Sequence, residues 1–340
     1  MIVAIHRDTS YEDRYGDAWA GCLRARGAEV RLVDLTARDA LAQVAGSDGV
    51  MWRWGHLPED KLVAPRVLHA IELVHDIPVF PDHATGWHYD DKLAQFSLLA
   101  GAGFPMPPTW IFSDLSSAKR WAVEANYPKI FKLSAGASGL NVVLVHSEHE
   151  AIGLIDRMFG YGIYGGTIAP PPPGRRGGVL RKLLDRPPAP PPEAAPSGWT
   201  HERGYAYFQE WVPDNPFDTR VIIIGERAWA YRRYPHPGDF RASRAGGPRD
   251  YDPEKIDRRA VRLGFEMSRR FGFQCMAYDM MLVRGEPVVL ELSYTFGFLS
   301  HDCPGYWTPA LEWIPGQMWP YEAQIEDFMR TIAARRPAPR

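Results

Sequence analysis

The sequence predicts a mixed α/β (α+β) chain with more than one domain, and three observations support this prediction. The 340 residues are 45% hydrophobic and 24% charged, which is typical of a globular chain long enough for about two or three domains. Short apolar runs alternate with amphipathic stretches before residue 168, as strands and helices do when they follow one another. After residue 205 the pattern becomes rich in strands.

The charge balance argues against nucleic-acid and membrane partners. The chain has 39 Lys and Arg against 41 Asp and Glu, a net charge of −2, so no bulk field attracts it to a polyanion. No apolar run approaches the roughly 20 residues of a membrane-spanning helix, and the stretch from Met1 to Ile5 is too short for a signal peptide. Three scattered cysteines indicate neither a disulfide framework nor a zinc cluster. We therefore expect a soluble, cytoplasmic protein.

Residues 1–84 are predicted to form a small N-terminal α/β domain around a parallel sheet. The expected elements, in chain order, are a strand at 2–5, a helix at 15–26, strands at 29–33 and 49–52, a helix at 64–75 and a strand at 78–80. Strands that alternate with helices in this way favour parallel pairing.

Residues 85–168 are predicted to form a small α+β lobe. Its expected elements are a helix at 90–100, a strand at 109–112, a helix at 115–126 and strands at 129–133 and 141–145. A proline-rich segment at 169–198 follows. Proline fixes φ and removes a backbone donor, so this segment is expected to be a disordered or polyproline-II insertion. A ligand for SH3-like partners is the alternative.

Residues 199–330 are predicted to form a larger, β-rich lobe. The expected elements are strands at 205–212, 219–224 and 227–233, a helix at 253–271, and strands at 275–283 and 288–292. Glycine-containing turns at 224–227 and 283–287 favour hairpins, so we expect antiparallel pairing in this sheet.

A lysine followed by a loop of small residues is the first motif that points to chemistry. Lys132 ends a predicted strand, and Gly136, Ser138 and Gly139 follow in a loop whose backbone amides could approach an anion. Lys92, at the start of the lobe's first helix, could supply a second positive charge to phosphate oxygens. The structural alternatives are an exposed hairpin for the loop and a solvated first helical turn for Lys92.

Two acidic residues lie inside apolar strands and form the second motif. Burial of an unpaired carboxylate costs several kcal/mol, so Asp279 and Glu291 each need a cation nearby. The cation could be an arginine or a magnesium ion, and two such strands beside a phosphate-binding loop make magnesium a serious candidate.

The stretch from Phe208 to Pro213 is the third motif. A strand that ends in Glu-Trp-Val-Pro could offer backbone groups and a carboxylate to a purine edge, although an ordinary edge strand is the structural alternative. Beyond it, Arg220 and Arg241 could hold phosphate or carboxylate oxygens with their guanidinium groups.

In this order and spacing, the motifs resemble the ATP-grasp superfamily, most closely the carboxylate–amine ligase branch of ribosomal-protein S6 glutamate ligases and D-alanine–D-alanine ligases. The resemblance covers residues 84–322. It implies an ATP-grasp fold, in which two α+β lobes clasp ATP after a small N-terminal Rossmann-like α/β domain that usually helps to bind the acceptor.

The resemblance also implies a role for each motif residue. The residues that would bind the nucleotide are Lys92, Lys132, Gly136, Ser138, Gly139, Gln209, Glu210, Trp211, Val212 and Asp218. The catalytic residues would be Arg241, Arg220 and Lys132. Asp279, Glu291 and Ser293 would ligate magnesium, with Ser293 where the family usually has asparagine. A hydroxyl is a shorter and poorer ligand than an amide oxygen, so a second ion would be held more weakly.

The activity that the resemblance implies is ATP-dependent amide or peptide bond formation. An acyl phosphate forms on a carboxylate and an amine attacks it, which releases ADP and phosphate; two Mg²⁺ ions are expected, with Mn²⁺ as an alternative. A small-molecule kinase of the same fold and a non-catalytic ATP-binding regulator are the alternatives.

The substrates stay open between an amino acid, a peptide and a uronic-acid glycan, and a homodimer is one option for the oligomeric state. Aromatic and arginine-rich segments at 51–56, 86–89, 232–236 and 294–307 are the candidate substrate-facing parts of the chain.

Overall fold

The computed structural model of the chain describes residues 1–7, 14–136, 139, 141–165, 200–237, 239–242, 247–297 and 304–335. The predicted insertion at 169–198 and the loop residue Ser138 lie outside the described residues. Within the described ranges, no helix has the length and apolar character needed to cross a membrane.

A four-stranded parallel sheet forms the N-terminal part, in the order β2-β1-β3-β4. Its elements are β1 (Ile2–His6), α1 (Arg14–Ala25), β2 (Glu29–Val33), α2 (Ala40–Gln43), β3 (Gly49–Met51), α3 (Pro58–His75), β4 (Val79–Phe80) and α4 (His83–Gly86). The predicted parallel pairing is confirmed. Helix α3 begins six residues before the predicted start at residue 64, because Pro58 occupies an N-terminal helical position that suits proline.

A second, antiparallel sheet follows, in the order β5-β10-β6-β7. The elements of this small lobe are α5 (Lys92–Gly101), β5 (Thr109–Phe112), α6 (Leu115–Glu124), β6 (Lys129–Lys132), β7 (Val142–Val145), α7 (Glu148–Phe159), β8 (Ile163–Tyr164), β9 (His201–Glu202) and β10 (Ala206–Glu210). The predicted boundary at residue 199 needs correction, because β10 belongs to this sheet and not to the large lobe. Alternation of apolar and polar residues predicts a strand, but it does not predict which sheet the strand joins.

The largest sheet is antiparallel, in the order β15-β14-β11-β12-β16-β17, with β13 paired to β12. The large lobe comprises β11 (Asp218–Ile224), β12 (Arg227–Arg233), β13 (Arg249–Asp250), α8 (Arg258–Phe271), β14 (Cys275–Val283), β15 (Glu286–Ser293), β16 (Gly305–Trp307), β17 (Trp313–Pro315) and α9 (Pro320–Arg335). Both predicted hairpins are confirmed. The predicted helix at 253–271 is a short 3₁₀ turn followed by α8, whose N-terminus is capped by the Asp257 side chain.

Two hydrophobic cores hold these sheets. One core is shared by the N-terminal sheet, the large lobe and helix α5, and the other lies around the sheet of the small lobe. In the shared core, Phe80 of β4 packs edge-on against Phe328 of α9, with ring centroids 6.4 Å apart. Trp19 of α1 donates a 2.9 Å hydrogen bond from Nε1 to Gln324 of α9. The small lobe is therefore the part of the described structure with a core of its own.

Candidate active site

A cavity of about 560 Å³ lies between the small and large lobes. Its volume falls within the range of typical small-molecule sites, about 300 to 1,000 Å³. The cavity brings together most of the predicted site residues, namely Lys92, Lys132, Gly136, Gly139, Gln209, Glu210, Trp211, Val212, Asp218, Arg241, Asp279 and Glu291. The predicted residues Arg220 and Ser293 do not line it.

Lys132, the last residue of β6, is buried in this cavity. Its Nζ donates a 2.7 Å hydrogen bond to Oε1 of Gln209 on β10, and Gln209 in turn donates 3.0 Å to the Thr109 hydroxyl. Burial and the neighbouring charge of Lys92 lower the pKa of Lys132 to about 8. The amine is thus held by a neutral partner, and its charge stays available to a ligand.

Lys92 is also buried, so the solvated helical turn considered from the sequence is wrong. Its Nζ donates to the Gly136 carbonyl and to Oε1 of Glu291, both at 3.2 Å. Burial lowers the pKa of Lys92, but the charges of Glu291 and Asp90 outweigh it and raise the pKa above the ordinary value. Lys92 therefore links the glycine loop of the small lobe to a strand of the large lobe.

Two carboxylates that sequence reasoning missed hold the base of the glycine loop. Asp90 accepts a 2.7 Å hydrogen bond from the Gly136 amide, and its other oxygen accepts 2.8 Å from Nζ of Lys61 on α3. Glu202 of β9 accepts from the amides of Ser134 and Ala135 at 2.9 and 3.0 Å. The sequence signal for Asp90 was the pair of acids before Lys92. Two acids before a helix predict an N-terminal cap, and only Asp91 has that role.

Glycine is required at the start of this loop. Gly136 has φ +127°, a conformation that side-chain-bearing residues rarely adopt, and a Cβ there would collide with the Asn141 side chain. The loop thus keeps its backbone close to the cavity at a position where larger residues do not fit.

Asp279 of β14 and Glu291 of β15 face each other across the two strands. The register shifts immediately after Asp279, and such irregularities often occur beside active sites. Both acids have the nearby cation that the sequence required: Asp279 pairs with Arg220 at 2.7 Å and with Arg233 at 2.8 Å, and Glu291 pairs with Lys92.

Arg220 and Arg233 form a buried charge network with two acids. Arg220 donates to both oxygens of Asp279, at 2.7 and 2.8 Å, so its guanidinium is engaged beneath the cavity wall and does not line the cavity. Arg233 donates to both oxygens of Asp218, at 2.7 and 2.6 Å. Burial opposes ionisation of both acids, but the two guanidinium groups hold the pKa of Asp279 below its usual range. For Asp218, burial prevails and raises the pKa.

Arg233 belongs to the segment 232–236 that was predicted to face the substrate, but its pairing with two acids was not predicted. It lies opposite Asp218 on the antiparallel pair β11 and β12, so only the strand register reveals the contact.

The pair Asp279 and Glu291 fits a magnesium ion that is bound together with phosphates. Magnesium in such sites usually takes one or two carboxylates and completes its shell with water and phosphate oxygens. Within the described residues, no group of three or more His, Cys, Asp or Glu side chains could form an all-protein metal site. The Ser293 hydroxyl donates 2.6 Å to the Thr295 carbonyl, and the structure does not bring it into the cavity.

Arg241 connects the large lobe to the glycine loop. Its Nη1 donates 2.9 Å to the Gly139 carbonyl, while Asp239 accepts from Nε and Nη2 at 2.8 and 2.9 Å. The aspartate fixes the plane of the guanidinium, and the carbonyl contact keeps it at the cavity.

The cavity also contains the strand end that was predicted to bind a purine, with Glu210, Trp211 and Val212 in its lining. β10 is a central strand, between β5 and β6, so the edge-strand alternative is wrong. Glu210 is held by Nζ of Lys129, which lies 2.9 Å from each carboxylate oxygen. The apolar residues in the cavity lining include Ile130, Val142, Met281 and Leu290. A lining that combines apolar side chains with buried cations suits a ligand with a planar base and an anionic tail.

This chain resembles solved structures in its fold, although comparison of sequences finds no relative. No protein-family model matches the chain, and no curated protein sequence matches it. Among solved structures, the RimK domain protein ATP-grasp from Sphaerobacter thermophilus DSM 20745 aligns with a TM-score of 0.51 and 17% identity, over 86% of this chain and 90% of that one.

Two ligases align over nearly the whole chain. The ATP-grasp ligase PsnB, in complex with precursor peptide PsnA2 and AMPPNP, has a TM-score of 0.55 and 16% identity over 98% of both chains. The D-alanine–D-alanine ligase from Bacillus anthracis, in complex with ATP, has a TM-score of 0.58 and 12% identity over 98% of this chain and 97% of that one. At these identities the likeness defines the fold alone.

Proposed function

We propose, from its ATP-grasp fold, that the chain is an ATP-dependent carboxylate–amine ligase. The γ-phosphoryl group of ATP would pass to a substrate carboxylate, and the amine would attack the resulting acyl phosphate to give an amide, with release of ADP and phosphate. The observation that supports this proposal is the single cavity in which two buried lysines, a glycine loop, a facing carboxylate pair and Arg241 meet.

The motif residues in the lining give the proposed orientation of the nucleotide. The base would lie beside Trp211 and Val212, and the phosphates beside Lys92 and Lys132. Phosphoryl transfer needs mainly positioning and charge stabilisation, which two desolvated ammonium groups would supply.

Asp279 and Glu291 would hold magnesium, which when bound neutralises charge on the β- and γ-phosphates. Lys92 already contacts Glu291, so its ammonium group would lie beside phosphates bound near this carboxylate. The buried arginines behind Asp279 keep that acid ionised and fix its orientation.

Arg241 is the proposed group that stabilises charge on the transferred phosphoryl group. A guanidinium suits this role because its planar donors match phosphate oxygens. Its contact with Gly139 brings it to the loop that would cover the phosphates. Such a cover excludes water, which would otherwise hydrolyse the acyl phosphate.

The test is to measure ADP and phosphate release with Mg²⁺ and ATP against amino acids, dipeptides and uronic acids, each with and without amines. Mass spectrometry would identify every product. We expect turnover that needs both a carboxylate and an amine, together with an adduct that has lost one water. A stable phosphorylated product would instead identify a kinase. Tight ATP binding without turnover across the panel would favour the regulator.

The variants Lys132→Ala and Glu291→Gln test the assigned residues. Each removes a charge from the phosphate end of the cavity, so we expect turnover to fall by at least about 100-fold. Circular dichroism and thermal unfolding would verify that both variants fold. Lys119→Ala is the matched control, because Lys119 forms an exposed ion pair with Asp156, and its turnover should equal that of the unmodified protein. Unchanged turnover in Lys132→Ala would contradict the assignment.

A further inference from the structure

Arg53 lies at the carboxyl edge of the N-terminal sheet. It follows the end of β3 by two residues, at the carboxyl edge of a parallel sheet with the order β2-β1-β3-β4. The chain passes from β1 to β2 on one side and then to β3 on the other, so β1 and β3 flank a topological switch point. Crevices outside the carboxyl ends of strands at such a point are the usual ligand sites of parallel α/β sheets.

The half-buried guanidinium of Arg53 has contacts with uncharged groups. Its Nη2 donates 3.2 Å to the Phe296 carbonyl, and its Cζ lies 4.5 Å from the centroid of the Tyr15 ring. Among the described residues, no carboxylate lies within ion-pair distance of it. A guanidinium has five N–H donors, and within the described part of the chain only the Phe296 carbonyl accepts from this one, so most of its donors have no acceptor there. An anionic ligand would stabilise this partly buried charge.

The same guanidinium lies beside the tail of the strand that carries Glu291. Phe296 is three residues beyond β15, and the Thr295 hydroxyl between them donates 2.9 Å to the Tyr89 hydroxyl. Burial raises the pKa of Tyr89 and of Tyr294, and the positive charge of Arg53 opposes this rise at both. Through the Phe296 carbonyl, Arg53 joins the N-terminal sheet to the segment that continues β15.

We propose that Arg53 binds a carboxylate of the substrate, by the guanidinium donors that Phe296 does not use. The proposal rests on the ligase activity proposed above and names its substrate class: an amino acid or peptide with a free carboxylate in addition to the group that reacts. A guanidinium fork matches a carboxylate in two parallel hydrogen bonds, which also fixes the direction of the substrate.

The experiment is equilibrium binding by isothermal titration calorimetry, with and without Mg²⁺ and AMPPNP. The probes are D-alanyl-D-alanine, L-alanyl-L-glutamate and L-glutamate, each compared with the counterpart in which the α-carboxylate is an amide. The proteins are the unmodified chain, Arg53→Met, Arg53→Lys and the control Arg31→Met. Arg31 also donates to carbonyl groups of the N-terminal sheet's loops, but it contacts the loop that precedes β3.

We expect at least one carboxylate probe to bind, and its amide to bind more weakly. Loss of a charge-assisted hydrogen bond should weaken binding of that probe to Arg53→Met by roughly 10- to 100-fold, with Arg53→Lys in between and Arg31→Met unchanged. AMPPNP titrated separately should bind Arg53→Met as it binds the unmodified protein, which separates this site from the nucleotide cavity.

Three results would overturn the proposal: acids and amides that bind alike, an Arg53→Met variant that binds carboxylates as well as the unmodified protein, or no saturable carboxylate binding up to about 10 mM, beyond the usual range of substrate affinities. Because the titrations need no turnover, a chain that binds carboxylates through Arg53 but forms no amide would refute the ligase proposal alone.

Discussion

Two lysines in one cavity have pKa values shifted in opposite directions, and their partners explain why. Lys92 has the carboxylate of Glu291 at 3.2 Å, which outweighs the cost of burial. Lys132 donates to the neutral amide of Gln209, and its burial and the positive charge of Lys92 outweigh the charges of Glu291 and Asp279, so its pKa falls. Lys132 is therefore the amine whose charge depends on pH near the physiological range.

This difference predicts the pH dependence of nucleotide binding. With a pKa of about 8 in the free protein, Lys132 loses its proton as the pH rises, and about a tenth of it stays charged at pH 9. We expect the dissociation constant for AMPPNP to rise by up to about tenfold from pH 7 to pH 9. The measurement is a titration series at constant ionic strength. Lys132→Met should bind weakly throughout and lose this dependence; an equal slope in both proteins would contradict the prediction.

Some site residues could be predicted from their residue type and their neighbours in the sequence. Lys132 before a glycine loop and acids inside apolar strands are examples, because a buried charge needs a partner in any fold. The roles of Arg233, Asp90 and Glu202 could not be predicted in this way. Their contacts depend on strand register and on a loop that approaches from another part of the chain. A sequence pattern gives the requirement for a counter-charge but not which residue meets it.

At the scale of elements, helix α3 of the N-terminal part helps to hold the glycine loop in place through Asp90. Lys61 of α3 donates to Asp90, and Asp90 accepts from the Gly136 amide. Asp90 itself has φ 52°, an unusual conformation for an aspartate, which the two contacts help to maintain. The first predicted domain thus contributes to the loop that is proposed to cover the phosphates, although it does not line the cavity.

We therefore expect Asp90→Ala to weaken nucleotide binding. The Gly136 amide loses its acceptor and Lys61 loses its counter-ion, so affinity for AMPPNP should fall by about tenfold. Calorimetric titration would give the affinity, and thermal unfolding without nucleotide would separate loop loosening from global destabilisation. Ser116→Ala is a control that removes an exposed hydrogen bond to Asp114 in the same lobe. Equal affinity in Asp90→Ala and the unmodified protein would show that the contact does not position the loop.

At the scale of the whole molecule, the chain's first and last elements share a core. Helix α9 was not among the predicted elements, and its contacts with α1 and β4 join residues about 250 to 300 positions apart, as with Trp19 and Gln324. The fold class followed from the local alternation of strands and helices. Contacts between distant segments follow from packing of the complete chain, which a local pattern does not encode.

Separate cores predict separate responses to core mutations. Phe328→Ala should lower the free energy of unfolding by about 3 to 5 kcal/mol and increase hydrogen exchange in both the N-terminal sheet and the large lobe. Leu154→Ala should lower the free energy of unfolding by about 2 to 5 kcal/mol, and hydrogen exchange should increase in the small lobe. Val123→Ala, at a side chain that is 61% exposed, is the control and should change stability by less than about 0.5 kcal/mol. Uniform exchange changes in both core variants would refute separate units.

The shared core also sets the order in which the protein is completed on the ribosome. Domains generally fold as units during synthesis, the N-terminal one first. Here the start of β3 packs against Phe328 and Ile332, close enough that a Cβ at Gly49 would meet both side chains. The first sheet therefore emerges with part of its apolar surface uncovered and keeps it so until α9 has left the exit tunnel. The small lobe, with its core between residues 118 and 208, is complete well before then.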